Sequence, residues 1–315
     1  MRHLFILIGC FQLLSATASN HPYRQATAVE NTAVAVIDSV AELPLPSVPT
    51  SLRTPGERAD YIITHFWDGM DFCDTLRSCN ATFMEQAFSN FISVFPYAGK
   101  AAQTTAVATL MHKAEADARA YVLLTDIAEK YLYELDSPVS SEDYYLLFLR
   151  QMLDASLMAN DHRGMRLRFR WEALNKNRPG MTAADFSYTT PDGTRHTLHA
   201  TPTPTPLLLL FYDPDCDHCK EVMLELQSNQ SLSSAITSGK LHVLAIYSGD
   251  DHDLWKRTAS SLPKTWSVGY DAGTLQENGS YVIRTLPTLY LLDTNKQVIL
   301  KEASVTSLLS ETGVE

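Results

Sequence analysis

Cys216 and Cys219, separated by Asp217 and His218, carry the strongest chemical signal in the sequence. Two thiols at this spacing fit on the first turn of a helix, where the sulfurs can bond to each other without unwinding it. A helix start also presents unpaired N–H groups and a partial positive charge, which stabilise a thiolate. Such a pair can exchange two electrons with another dithiol or disulfide. In that placement Cys216 is the exposed nucleophile, and Cys219, one turn further in, resolves the mixed disulfide. The spacing alone leaves two other readings open. A zinc site needs further ligands, but there is no second Cys-x-x-Cys, and pairing His218 with His242 or His252 follows no spacing rule. A purely structural disulfide this local would remove little entropy from the unfolded chain. No metal and no dissociable cofactor is therefore expected, the redox-active pair Cys216–Cys219 being the reactive group itself.

Cys73 and Cys79, with Asp74 to Ser78 between them, fit a short structural disulfide, two free thiols, or a pair serviced by Cys216. Trp67 and Asp68 beside His65 fit either a binding surface or aromatic packing with a helix-surface acid. No Gly-x-Ser-x-Gly motif supports Ser-His-Asp catalysis, the 10 histidines are scattered, and no glycine-rich phosphate loop is present. The net charge of -11 without a Lys/Arg cluster argues against nucleic acid or anionic lipid as partner.

The elements that must position the pair follow from hydrophobic patterning. Leu207 to Tyr212 is a continuous apolar run, as expected of a strand buried on both faces. Just after it, Cys219, Val222, Met223 and Leu226 share one face of a helix. Phe186 to Thr190 and Thr194 to Leu198 flank Pro191-Asp192-Gly193 as a hairpin. Leu241 to Tyr247 reads as a second central strand, and a helix follows near Asp253 to Ser260. Thr288 to Leu292 and Gln297 to Lys301 form a final hairpin, with a weak helix near Val305 to Leu309. These strands and helices describe a sheet layered between helices over residues 180–310.

Upstream, residues 54–177 read as an all-helical domain, which at 315 residues fits two domains plus a leader. Thr54-Pro55-Gly56-Glu57 has the capping-box arrangement, and Thr82-Phe83-Met84-Glu85 repeats that logic. Leu124, Ile127, Ala128, Tyr131 and Leu135 form an apolar stripe, and Ser140 to Asp143 starts another helix. A last one around Leu167 to Leu174 leads to a break at 175–180. Met1-Arg2-His3, the apolar run from Leu4 to Leu14 and Ser15-Ala16-Thr17-Ala18 have the layout of a secretory signal peptide over 1–18. Leu7-Ile8-Gly9-Cys10 alternatively reads as a lipoprotein box, which would lipidate Cys10 and tether the protein to a membrane. Residues 19–53 read as a flexible linker. Export places the protein in the periplasm or another oxidising compartment, where the cysteines left after the leader suit disulfide chemistry.

The segments Phe211-Tyr212-Asp213-Pro214-Asp215-Cys216-Asp217-His218-Cys219 and Arg284-Thr285-Leu286-Pro287-Thr288-Leu289-Tyr290-Leu291-Leu292-Asp293 resemble the thioredoxin superfamily. The likeness is closer to the exported TlpA/ResA-type thiol-disulfide oxidoreductases. The resemblance implies an α/β thioredoxin-like three-layer sandwich preceded by an all-α domain, and protein thiols and disulfides as partners. It also implies that Pro287 is cis and lies against the disulfide, and that Leu286 offers backbone groups to an extended substrate strand. Arg58-Ala59-Asp60-Tyr61, His65-Phe66-Trp67-Asp68 and Glu85-Gln86-Ala87-Phe88 resemble an N-terminal domain of unknown function that precedes such domains in some Gram-negative bacteria. In a bacterial protein the glycosylation patterns at Asn80, Asn229 and Asn278 read as chance.

Three positions depart from thioredoxin itself. Asp215 stands in place of a Trp, Leu210 in place of a buried acid, and Asp217-His218 in place of Gly-Pro. The loss of the acid leaves the proton of Cys219 to a water or to Asp213. A protonated His218 favours the Cys216 thiolate, whereas Asp213, Asp215 and Asp217 oppose it. A potential between about -270 and about -120 mV is the expectation. The rival from another class is an interaction protein with a helical recognition domain and a structural or vestigial Cys-x-x-Cys.

Overall fold

The structure is a computed structural model in which residues 42–155 and 162–312 are described. These residues all lie in one compact unit, Glu42–Glu315. The signal peptide read over 1–18, Cys10 and the linker up to residue 41 lie outside the described residues.

The first half is helical. Thr54 caps α1 (Pro55–His65) in a full capping box with Glu57, and Asp74 caps α2 (Thr75–Ser78). The next helix, α3 (Ala81–Ser93), is capped by Asn80, whose side chain accepts the Phe83 N–H at 3.1 Å. Asparagine is at least as strong a cap as threonine, so Thr82, expected as the cap, falls inside the first turn. α4 (Lys100–Ala114) was not among the expected helices, although Ala106, Val107, Leu110, Met111 and Ala114 bury at helical spacing. It starts at Gly99 without a side-chain cap, and Gly99 N–H instead donates to Asp60 Oδ1 at 2.7 Å. α5 (Ala118–Ala128) runs into a π-helical turn, Glu129–Tyr133, and its apolar stripe stops short of Leu135, which is 44% exposed. α6 (Glu142–Asp154) is capped by Ser141 and is followed by α7 (His162–Leu174).

These helices bury a single aromatic-rich core containing Phe88, Phe91, Phe95, Tyr121 and Phe148. Trp67 belongs to it, 3% exposed against Phe66, Phe72 and Phe91, so its role is packing rather than binding. Leu43 is buried in the same core, so packing begins inside the stretch expected as linker.

Asn177 closes the helical region with a φ of 52°. Its amide donates to Ser280 O at 2.9 Å and accepts from Ala184 N at 2.8 Å, joining the helices to the second half.

There the chain forms β1 (Ser187–Thr189), β2 (Arg195–Thr197), β3 (Leu207–Tyr212), α8 (Asp217–Ser228), α9 (Gln230–Thr237), β4 (His242–Tyr247) and α10 (His252–Thr258). It continues as β5 (Ser267–Tyr270), α11 (Thr274–Glu277), β6 (Thr288–Leu292), β7 (Val298–Leu300) and α12 (Val305–Thr312). The seven strands make one sheet in the order β2-β1-β5-β4-β3-β6-β7. β3 and β4 are parallel, as are β4 and β5, while β6 runs antiparallel to β3. All six side chains of β3 are buried, which explains its unbroken apolar sequence. One face carries Leu208, Leu210 and Tyr212 against α8, α9, α10 and α12. The opposite face carries Leu207, Leu209 and Phe211 against Leu275, Phe186 and Tyr281, so that layer is built mostly of loop and hairpin. β5, α9 and the short α11 were not among the expected elements. Among the described residues no helix is long and apolar enough to cross a membrane.

Candidate active site at the end of the central strand

β3 ends at Tyr212, and Asp213 to Cys216 turn the chain into α8. Asp213 builds this turn twice over. Its backbone carbonyl accepts Cys216 N–H at 3.2 Å, and its Oδ1 accepts Asp215 N–H at 2.8 Å. Cys216 is then the N-cap of α8. Its sulfur accepts the Cys219 N–H at 3.3 Å, taking the place of the oxygen that a Ser or Asp cap would supply. A thiolate there gains both that hydrogen bond and the positive end of the helix.

The register of β6 brings the second segment to the same place. Phe211 pairs with Thr288, so Leu286 and Pro287 lie directly beside the turn that carries the cysteines. The Leu286–Pro287 peptide is cis, and the Cys216 thiol donates to Leu286 O at 3.6 Å. Residues 70 positions apart in sequence thus meet through one strand pairing.

Cys219 has no solvent exposure and belongs to the same apolar cluster as Leu210, Tyr212, Met223 and Leu289. Burial pushes its thiol up to about 12; the Cys216 sulfur and Asp213 charge add to this, and a hydrogen bond from the Asp213 backbone opposes it. The Tyr212 hydroxyl is buried, has no hydrogen-bond partner among the described residues, and is likewise pushed up, first by burial and then by Tyr247, Asp213 and Cys219. Leu210, where a thioredoxin has its acid, is fully buried and paired with Ala245 and Leu289.

The charged rim differs from a bare sum of side chains. Asp217 Oδ1 pairs with Lys220 Nζ at 2.9 Å, which holds its carboxyl below the usual range. His218 Nδ1 lies 3.4 Å from Glu221 Oε2, with both groups exposed. Lys220 and Glu221 were missed by the sequence reading, although their i,i+3 spacing from Asp217 and His218 was the available signal. Asp215 is exposed and contributes through the turn.

All four cysteines among the described residues are free thiols. Cys73 is exposed, with its N–H on Asp71 Oδ1, whereas Cys79 is half-buried and its thiol turns toward Asp117 Oδ1 at 3.7 Å. The two stand as separate thiols in this structure, as Cys216 and Cys219 do. Among the described residues no group of three His, Cys, Asp or Glu side chains comes together to hold a metal ion.

No curated protein matches the chain. A solved thioredoxin-like protein from Bacteroides caccae is 29% identical, with a TM-score of 0.80 over 87% of this chain and 98% of its own. The C-terminal domain of an uncharacterised protein from Bacteroides fragilis is 34% identical over 44% of this chain and 98% of its own, with a TM-score of 0.42. The thioredoxin domain of a thiol-disulfide oxidoreductase from Bacteroides vulgatus is 17% identical over 44% of this chain and 99% of its own, with a TM-score of 0.38. The second half of the chain thus has a thioredoxin-like fold, and a helical region precedes it. Residues 17–177 match the family described as a domain of unknown function, DUF5106, and the chain belongs to that family.

Proposed function

We propose that the protein is an exported thiol-disulfide oxidoreductase acting on protein disulfides through Cys216 and Cys219. One observation carries this reading: the Cys216 sulfur sits at the start of α8, accepts the Cys219 N–H, and touches the carbonyl that precedes a cis-proline. In the reducing direction the Cys216 thiolate attacks one sulfur of a substrate disulfide. A Cys216–substrate disulfide forms, and the other substrate sulfur leaves and takes up a proton. Cys219 then loses its proton and attacks Cys216 Sγ. The Cys216–Cys219 disulfide closes and the second substrate thiol is released. Two electrons pass to the substrate, and an external dithiol restores the reduced pair; oxidation is the same sequence reversed. The reaction balances without a dissociable cofactor.

Leu286 and Pro287 are assigned to substrate contact. Asp217, His218 and Asp215 tune the charge around Cys216. Export through the leader read over 1–18 supplies the oxidising compartment, and a lipid on Cys10 would instead fix the protein at the cell envelope.

Insulin reduction by the full chain tests this reading. Turnover is expected in the wild type and none with Cys216→Ser, while Cys219→Ser accumulates a mixed disulfide visible on a non-reducing gel. A wild type that neither reduces insulin nor alkylates at Cys216 after reduction would overturn the reading in favour of a binding protein.

A further inference from the structure

The helical half meets the segment that leads into the active site through Arg284. Arg284 lies two residues before Leu286, and its side chain points into the helical region. Its Nη1 donates to Tyr133 O at 2.9 Å, and its guanidinium lies 4.9 Å from the centre of the Tyr133 ring. Nη2 meets Glu142 Oε1 at 3.2 Å and Glu302 Oε2 at 2.6 Å. Arg284 is only 11% exposed, so its charge is consumed internally. What it anchors is the turn that leaves the π-helix. Tyr133, Glu134, Leu135, Asp136 and Arg284 line an open groove of 520 Å³.

This turn exposes apolar side chains although it is well held. Leu135 is 44% and Val139 39% exposed. Ser137 Oγ donates to Tyr131 O at 2.6 Å, and Ser141 N–H donates to Leu132 O at 2.9 Å, so the backbone is fixed. Glu134 and Asp136, both exposed, stand on either side of Leu135, outside the ion pairs that hold Arg284. A fixed surface presenting one leucine between two carboxylates complements an apolar residue flanked by Lys or Arg. The backbone from Leu286 to Arg284 spans at most about 7 Å. A substrate strand that ran from Leu286 toward Arg284 would bring the residues about two to three positions from its cysteine toward this groove.

We propose that the Tyr133–Asp136 turn is the substrate-selecting surface of the enzyme, and that it takes a basic, leucine-containing stretch of the substrate next to the disulfide. This assignment rests on the oxidoreductase reading and names the substrate class of the same site. The test uses the full chain with two disulfide-linked peptides that differ only in a Lys-Leu-Lys or Glu-Leu-Glu flank, together with hydroxyethyl disulfide as a small substrate. The wild type should favour the basic peptide in kcat/KM by about three- to tenfold at low salt, the range for two exposed charge pairs. The preference should shrink at high salt. A doubly substituted Glu134→Lys, Asp136→Lys protein should favour the acidic peptide, an inversion that misfolding cannot produce. Equal rates in the wild type, or an unchanged preference in the double variant, would overturn the assignment. Failure to reduce even hydroxyethyl disulfide would instead strike the oxidoreductase reading, and this assignment with it.

Discussion

The Cys219 thiol, shut in an apolar cluster with Leu210 and Tyr212, holds its proton to about 12, against an ordinary value of 9.0. The consequence for stability has a definite sign. Between these values the unfolded chain has lost the proton and the folded chain still binds it, so reduced protein is stabilised below pH 9 and loses that stability as pH rises toward 12. The expected slope is about 1.4 kcal/mol per pH unit. Urea unfolding of the reduced protein at pH 8 and pH 10 should show the loss, and Cys219→Ser should show less of it. Equal slopes in the two proteins would mean that the sulfur is solvated after all. The residues of this site were legible to different degrees. The Cys-x-x-Cys spacing and the Leu-Pro before an apolar strand marked their places, because helix starts and strand starts leave local signatures. The pairing of Asp217 with Lys220 and the solitary hydroxyl of Tyr212 left none, since they depend on how α8 lies on the sheet.

At the scale of elements, the strands and helices that bury a continuous apolar face were readable, β3 above all. Those that bury little, or bury it through small side chains, were not. α4 does bury Val107, Leu110 and Met111 at helical spacing, but Gln103, Ala106 and Ala114 dilute that stripe, alanines recur on its other faces, and it begins on a glycine without a side-chain cap. β5 is four residues long and contains Gly269, where a Cβ would come within 2.5 Å of the Tyr188 ring and 2.7 Å of the Ile246 side chain. A residue kept small to let neighbours in carries no hydrophobic signal. Asn80 shows the competition between local signals, because it outranks Thr82 as the cap of α3. Asn80→Ala should cost about 1 kcal/mol in chemical denaturation, whereas Thr82→Ala should cost less than half of that. The reverse order would mean that α3 starts two residues later in solution. Asn229 likewise caps α9, so two of the three apparent glycosylation sequons place their asparagines at helix starts.

In the whole molecule the two halves meet around Arg284, Glu142, Lys301 and Glu302. Lys301 reaches Glu142 Oε2 at 2.9 Å and Leu174 O at 3.3 Å. The Glu142 carboxyl is raised above its ordinary value because burial outweighs the attraction of Lys301 and Arg284. Ionising it therefore costs stability as pH rises through that range, and the cluster serves more to fix position than to stabilise. Glu142→Gln should leave stability within about 1 kcal/mol, whereas Arg284→Ala strands Glu302 and Glu142 and should cost about 3 kcal/mol. Denaturant unfolding followed by far-ultraviolet circular dichroism measures both, and a large loss from Glu142→Gln would show that the ion pairs are net stabilising. None of this contact was legible beforehand, because its members are spread from residue 133 to residue 302.

The position of Arg284 also bears on how such a chain can change over evolutionary time. A gene fusion that joined this sheet to a different helical partner would inherit a guanidinium with Glu302 but without Glu142 or Tyr133 O, two residues from Leu286, whose carbonyl meets the nucleophile. The halves are not freely exchangeable parts. Recombination across the Asn177 junction should succeed only between chains that bring matching acids on the helical side.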